Sequence, residues 1–142
     1  MGITWKIHKG ENLVSFTIFG QSSLLETVDA LRGLAADPDF DPAMRRIYVC
    51  DGNLEAPTGL DSTQGAFVDV LALQITKMFD HPATVAFVHG RNNVVAANRF
   101  TTSVRVCDAI YAEQGKAPMN QRWFEDLSAA LAWLDLPAGF QL

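Results

Sequence analysis

Apolar and polar residues alternate in two stretches at the start of the chain, Ile3 to His8 and Leu13 to Phe19, with Lys9-Gly10-Glu11-Asn12 between them. Alternation with a period of two is typical of a β-strand with one buried face, and the intervening glycine and asparagine favour a tight turn. The pattern therefore predicts an antiparallel hairpin, buried on one face, at the edge of a sheet.

Two later stretches are apolar without alternation, Arg46 to Cys50 and Ala83 to His89, and a third, Met119 to Phe124, is a short candidate for a last strand. Continuous apolar runs of this length are typical of strands that are covered on both faces. They predict a buried, mainly parallel part of the sheet.

Four stretches between and after these strands have apolar residues at helical spacing. The first follows possible capping residues Ser22 and Ser23 and ends at about Ala36, before two prolines. The last runs from Glu125 to Leu134. The apolar positions predicted to face inward in the first, third and fourth helices are Leu24, Val28, Leu31, Leu34 or Ala35, Ala96, Phe100, Val104, Cys107, Ile110 or Tyr111, Leu127, Leu131 and Leu134.

The second helix, Gln64 to Asp80, is apolar over most of its circumference. Its polar stripe is narrow, is interrupted by Leu73, and consists of Asp69, Thr76, Lys77 and Asp80. A helix of this kind is central in a fold or shared with a partner chain, and homodimerisation is the commonest way to cover such a surface. The sequence therefore predicts a homodimer, with a filled core or an apolar pocket as the alternatives.

The element order is ββαβαβαβα, which predicts one α/β domain over residues 1–142. Its sheet is expected to be mixed, mostly parallel with an antiparallel N-terminal edge hairpin. Because crossovers between parallel strands are right-handed, helices should cover at least one face of this sheet.

Composition excludes several classes of protein. The net charge of −5 and the pI near 5.0 argue against a nucleic-acid or anionic-membrane partner, which would require a basic surface. No apolar stretch reaches the roughly 20 residues that span a bilayer. Cys50 and Cys107 lack metal-ligand spacing, which predicts buried reduced thiols. We expect a cytoplasmic protein without a metal or nucleotide cofactor.

Polar residues collect where the buried strands end. Ligands of open α/β sheets favour the crevice beyond the carboxyl ends of parallel strands, where Asp51, His89, Arg91 and Asn92 fall. Free N–H groups and the Arg91 guanidinium could hold a phosphate or carboxylate there. These four residues are the candidate ligand-binding or anion-binding residues, although such a turn more often only reverses the chain.

Ser62 permits three interpretations. It could accept a phosphate at a helix N-terminus, where the helix dipole tolerates negative charge. It could, like Asp61, simply cap the helix, which is the commoner role of such residues. With His89 and Asp51 it could also form a nucleophile, base and orienting group of a hydrolase, although no GxSxG motif surrounds it.

Three features of the sequence resemble the STAS domain, the sulfate transporter and anti-sigma-factor antagonist domain. They are the element order with its strand Ile47 to Asp51 followed by Gly52, the helix opening Asp61-Ser62-Thr63-Gln64-Gly65, and the closing segment Trp123 to Leu134. The closing segment is similar to the C-terminal signature of small STAS-like bacterial proteins, some of them labelled STAS/SEC14. In antagonist-type members, a Ser or Thr at the start of the second helix is phosphorylated and controls binding to a kinase partner.

The resemblance implies a non-catalytic regulatory or protein-interaction module, with Ser62 or Thr63 as the phosphoacceptor and an unidentified protein as the partner. A carrier of a small apolar or lipid-like ligand is the alternative, which the surplus of apolar residues and the STAS/SEC14 group both favour. A hydrolase that uses Ser62, His89 and Asp51 ranks third.

Overall fold

Five strands form one mixed sheet in the computed structural model, which describes residues 2–20, 24–51, 64–79, 83–90 and 94–142. Their order in the sheet is β1-β2-β3-β4-β5. The strands are β1 (Gly2–His8), β2 (Leu13–Phe19), β3 (Arg45–Asp51), β4 (Thr84–Val88) and β5 (Asn120–Phe124). The helices are α1 (Leu24–Ala36), α2 (Gln64–Met78), α3 (Val94–Glu113) and α4 (Leu127–Trp133), with one 3₁₀ turn at Lys9–Glu11.

The pairing of the strands confirms the predicted architecture. β1 and β2 are antiparallel, whereas β2, β3, β4 and β5 pair in parallel. The larger apolar cluster joins this sheet to α1, α2 and α3, and a smaller one joins it to α4. We call the two sides the three-helix face and the α4 face.

One detail of the hairpin prediction is wrong. β1 alternates between buried and more exposed positions, as expected of an edge strand, but β2 is buried on both faces. Val14 and Phe16 pack on the three-helix face, while Leu13 packs on the α4 face. The cause is the parallel pairing of β2 with β3, which places β2 inside the sheet, where helices reach both of its sides.

The apolar character of α2 is confirmed, but its polar stripe is narrower than predicted. Thr76 is buried, and its hydroxyl donates a hydrogen bond to the Ala72 carbonyl at 2.8 Å. A threonine can enter an apolar interface in this way because the carbonyl one turn earlier satisfies its hydroxyl. Asp69, Leu73 and Lys77 are exposed as expected. Asp80 lies outside the described residues.

The other helices follow the predicted faces. The buried residues include Val28, Leu31 and Leu34 of α1, Val104, Cys107 and Tyr111 of α3, and Leu131 and Leu134 at α4. α4 begins at Leu127, two residues later than predicted, because Asp126 is its N-cap and accepts a hydrogen bond from the Ala129 N–H at 3.0 Å. The side chains of Leu24, Ala96 and Phe100 and the whole of Ser22 and Ser23 lie outside the described part.

His8, at the end of β1, predicts a pH dependence of stability. Its ring is buried, with Nε2 2.9 Å from the Ser15 hydroxyl, and burial followed by the nearby charge of Lys6 lowers its pKa below 6.5. The folded protein therefore resists protonation at a pH where the unfolded chain accepts it. Stability should be fully present above pH 6.5 and should fall as the pH drops below that value.

Urea denaturation at pH 7.5 and 5.5 tests this expectation. The variant His8→Gln should lose less stability between the two pH values than the native protein, because the remaining titrating groups are shared. Equal losses in both proteins would contradict a role for His8.

Candidate functional site

A row of aromatic side chains crosses the three-helix face of the sheet. Successive paired positions on β1 to β5 are Trp5, Phe16, Tyr48, Phe87 and Trp123. The last four rings form stacked neighbours, with centroid distances of 4.5 Å, 5.3 Å and 4.5 Å along the row. Cross-strand aromatic pairs stabilise a sheet. Here they also provide a flat, apolar floor beneath the helices.

An apolar cavity lies between this floor and the helices. Its volume is about 60 Å³, measured as space open to the centres of water-sized spheres, and its wall is almost wholly apolar. A single water requires about 10–15 Å³ on this measure, so the cavity has room for a larger molecule. Tyr48 and Phe87 line it from the sheet, and Leu31, Ile75 and Val104 line it from α1, α2 and α3.

The residues that line the cavity come from both ends of the strands. Arg46 and Met119 line it at the amino end of the parallel strands, and Ile3 and Ile18 line it towards the opposite end. Ile18 pairs with Cys50, four residues after Arg46 on β3, which corresponds to a separation of roughly 13 Å along the strand. The site therefore has one end that contains a charged side chain and one that is apolar.

Arg46 is the charged residue of this cavity, and it is only 1% exposed. Its guanidinium carbon lies 4.0 Å from the centroid of the Phe79 ring, and its Nη2 lies 3.5 Å from the Met119 sulfur. Among the described residues, no carboxylate forms an ion pair with it. A buried arginine is usually paired with a carboxylate. This one has an aromatic face and a weak sulfur acceptor instead.

Two phenols complete the surroundings of Arg46. Burial raises the pKa of Tyr48 and of Tyr111, and the charge and hydrogen bonding of Arg46 oppose part of the rise. The Tyr111 hydroxyl donates a 2.6 Å hydrogen bond to the Phe79 carbonyl, just beyond the C-terminus of α2. The negative end of the α2 dipole favours a cation at this position. These groups reduce the cost of burying the charge without neutralising it.

Two buried polar atoms of the described residues lack a hydrogen-bond partner, Arg46 Nε and Gln121 Oε1. Both residues pair with Val85, from opposite sides of β4. Gln121 is two residues from Trp123, so both of their side chains project to the three-helix face. The unsatisfied polar atoms of the described residues thus belong to one row, of which Arg46 and Val85 line the cavity and Gln121 does not.

The cysteine that lines the cavity is a thiol at neutral pH. Burial raises the pKa of Cys107 to about 11, so little of the reactive thiolate is present. Cys50 is also buried and free, which agrees with the prediction of two buried reduced thiols. Cys107 therefore contributes apolar surface to the cavity and no nucleophile.

Only two of the candidate functional residues predicted at the strand ends and at the start of α2 are among the described residues. Asp51 is exposed at the end of β3, and half-buried His89 follows β4, the neighbouring strand. The His89 Nδ1 lies 2.7 Å from the Gly90 carbonyl, which can only accept a hydrogen bond. That nitrogen is therefore occupied where an orienting aspartate of a catalytic triad would bind. Ser62, Thr63, Arg91 and Asn92 lie outside the described residues.

Among the described residues, no helix is both long and apolar enough to cross a bilayer. The His, Cys, Asp and Glu side chains of the same residues include no group of three or more placed to hold a metal ion.

Comparison with known proteins gives no match: no family model, no curated protein and no solved structure matches this chain. The resemblance to the STAS domain therefore stays a prediction from the sequence. The cavity and its arginine have to be interpreted from their own chemistry.

Sequence reasoning did not single out Arg46, although a signal for it was present. A strand that is covered on both faces and includes an arginine at its start must bury that arginine or hold it at the rim. The alternation along β3 places Arg46 on the same side as Tyr48 and Cys50, in the larger apolar cluster. The alternation along β3 could have predicted that Arg46 is a buried cation. It could not have predicted that no carboxylate of the described residues forms an ion pair with it.

Proposed function

We propose that this protein is a non-catalytic binding module, of STAS-like type, that carries a small and mainly apolar ligand between the sheet and α1, α2 and α3. The observation that supports this proposal best is the apolar cavity in the larger core cluster. Atoms that line an empty apolar space lose dispersion contacts, so an unfilled cavity lowers stability. A ligand of matching shape would recover those contacts.

Two other functions have less support. An interaction module switched by phosphorylation depends on Ser62 or Thr63, outside the described residues, and stays a prediction. A hydrolase is disfavoured by the hydrogen bond that His89 Nδ1 makes with Gly90. A cytoplasmic location also belongs to the proposal, and the two free thiols fit a reducing compartment.

We also propose that the protein is a homodimer. Three large apolar side chains are exposed on α1 and α2: Leu25 is 69% exposed, Val70 is 44% exposed and Leu73 is 59% exposed. Val70 and Leu73 are three residues apart on α2 and so lie on one side of that helix. A second copy of the chain would cover this surface in the usual way.

Native mass spectrometry of protein purified from its own host reads the subunit number, any retained ligand and any phosphate in one measurement. We expect a dimer that retains an apolar molecule, and the substitution Leu73→Glu should shift the mass to that of a monomer. A monomeric native protein would contradict the dimer.

Titration with 1-octanol, followed by NMR, tests the cavity itself. We expect shift changes at residues that line the cavity, and we expect Val104→Phe to abolish them because its larger ring occupies the space. Val106→Phe is the matched control, since it makes the same change on α3 outside the cavity lining. An equal response of the native protein and Val104→Phe would overturn the carrier proposal.

A further inference from the structure

We propose that the ligand of this cavity carries an anionic group, a carboxylate on an apolar chain, which accepts hydrogen bonds from the Arg46 guanidinium. This inference rests on the proposed function and adds the chemical class of the ligand. Arg46 binds the head group of the ligand, and the apolar end of the cavity binds its chain.

The first support is the unmet hydrogen-bonding capacity of Arg46. A guanidinium has five N–H donors, and its preferred partner is a carboxylate that accepts two of them. Here Arg46 has the Met119 sulfur at 3.5 Å, the Phe79 ring and the two neighbouring phenols, while its Nε has no partner. Sulfur is a weak acceptor. A ligand oxygen at the amino end of the cavity would provide an acceptor for Nε, which has none among the described residues.

The second support is the position of the other unsatisfied atom. Gln121 Oε1 belongs to the same row as Arg46, two strands away, or roughly 10 Å between backbones. An amide side chain can present either its oxygen or its NH₂ group after a half-turn. Gln121 does not line the cavity, so its amide adds polar character beside the row of Arg46 and does not itself contact the head group.

The third support is the match between the cavity and an amphipathic monoanion. The distance of roughly 13 Å from the row of Arg46 to that of Ile18 suits a medium-length alkyl chain. The floor of Tyr48 and Phe87 and the helix side chains provide apolar contacts along this length. A single cation in an apolar wall balances one negative charge, whereas a doubly charged phosphate would leave a second charge buried without a partner.

Three probes that share one alkyl chain separate the head-group contribution from the chain: octanoate, 1-octanol and octylammonium. In calorimetric titrations of the native protein we expect octanoate to bind about tenfold or more tightly than 1-octanol, because a charge-assisted hydrogen bond replaces a neutral one. Octylammonium should bind more weakly than 1-octanol. Arg46→Met should remove the preference for octanoate, and Arg105→Met, an exposed arginine on α3, should retain it.

Arg46→Lys keeps the charge and provides a second variant if Arg46→Met does not fold. It should preserve part of the preference for octanoate over 1-octanol. Equal affinity of the native protein for octanoate and 1-octanol would overturn this inference if both probes change the NMR shifts of residues that line the cavity. The carrier function would then stand, and water would be the partner of Arg46. Failure of all three probes to reach the cavity would overturn the carrier function as well.

Discussion

Replacing Phe79 by alanine is expected to lower the free energy of unfolding by about 3–5 kcal/mol, the usual cost of removing a buried phenylalanine. Phe79 is fully buried, its ring lies under the Arg46 guanidinium, and it contacts Phe40 edge-on at a centroid distance of 5.4 Å. Loss of the ring creates a cavity and also exposes a buried cation to an empty space. Both effects lower the free energy of unfolding.

Urea denaturation measures this loss, and two further variants separate its causes. Phe79→Leu retains most of the apolar volume but removes the aromatic face, so it should cost only the cation–π part, about 0.5–2 kcal/mol. Phe40→Ala removes the half-buried partner ring and should cost less than Phe79→Ala. A loss for Phe79→Ala no larger than that for Phe40→Ala would contradict the central position of Phe79 in the core.

Two adjacent arginines are expected to respond in opposite ways to the same substitution. Arg45 donates hydrogen bonds to the Leu134 carbonyl at 2.6 Å and to the Glu11 carbonyl at 2.7 Å, so it ties β3 to the end of α4 and to the hairpin turn. Arg45→Met should cost about 2–4 kcal/mol, which is less than the sum of two charged hydrogen bonds of about 1.5–3 kcal/mol each, because Arg45 is half-buried and water can replace part of both bonds.

Arg46→Met should instead raise the free energy of unfolding of the ligand-free protein, because an apolar residue replaces a buried ion that has no carboxylate partner among the described residues. Denaturation of both variants in the same buffer measures the difference. Each variant is a control for the other, because both have the same composition and the same net charge. A loss for Arg46→Met as large as that for Arg45→Met would show that the ring and phenol contacts fully compensate the charge, which would weaken the case for an anionic ligand.

On the proposed function, Arg46 would connect stability with ligand binding. A residue that lowers the stability of the ligand-free protein and has an unsatisfied donor at an apolar cavity would be typical of a binding site, where a local cost is offset by the rest of the fold. Octanoate should raise the unfolding midpoint of the native protein by mass action, and it should do so less in Arg46→Met.

The strand-end candidates illustrate a different limit of sequence reasoning. Asp51 ends β3 and His89 follows β4, the neighbouring strand, so both lie at the carboxyl ends of parallel strands, as predicted. The sequence could not reveal that His89 Nδ1 turns back to the Gly90 carbonyl. Side-chain hydrogen bonds depend on local geometry that a periodic pattern does not contain.

The sequence by itself determined the order of the elements, the parallel and antiparallel parts of the sheet and most inward faces of the helices, because these follow from periods of 2 and 3.6 residues that are local to each element. Only the tertiary structure decided the register that aligns Trp5, Phe16, Tyr48, Phe87 and Trp123 in one row, the burial of Thr76, and the cavity that contains Arg46. A cavity depends on how side chains from distant segments fill a shared space, and no pattern within one element records the volume that its neighbours leave empty.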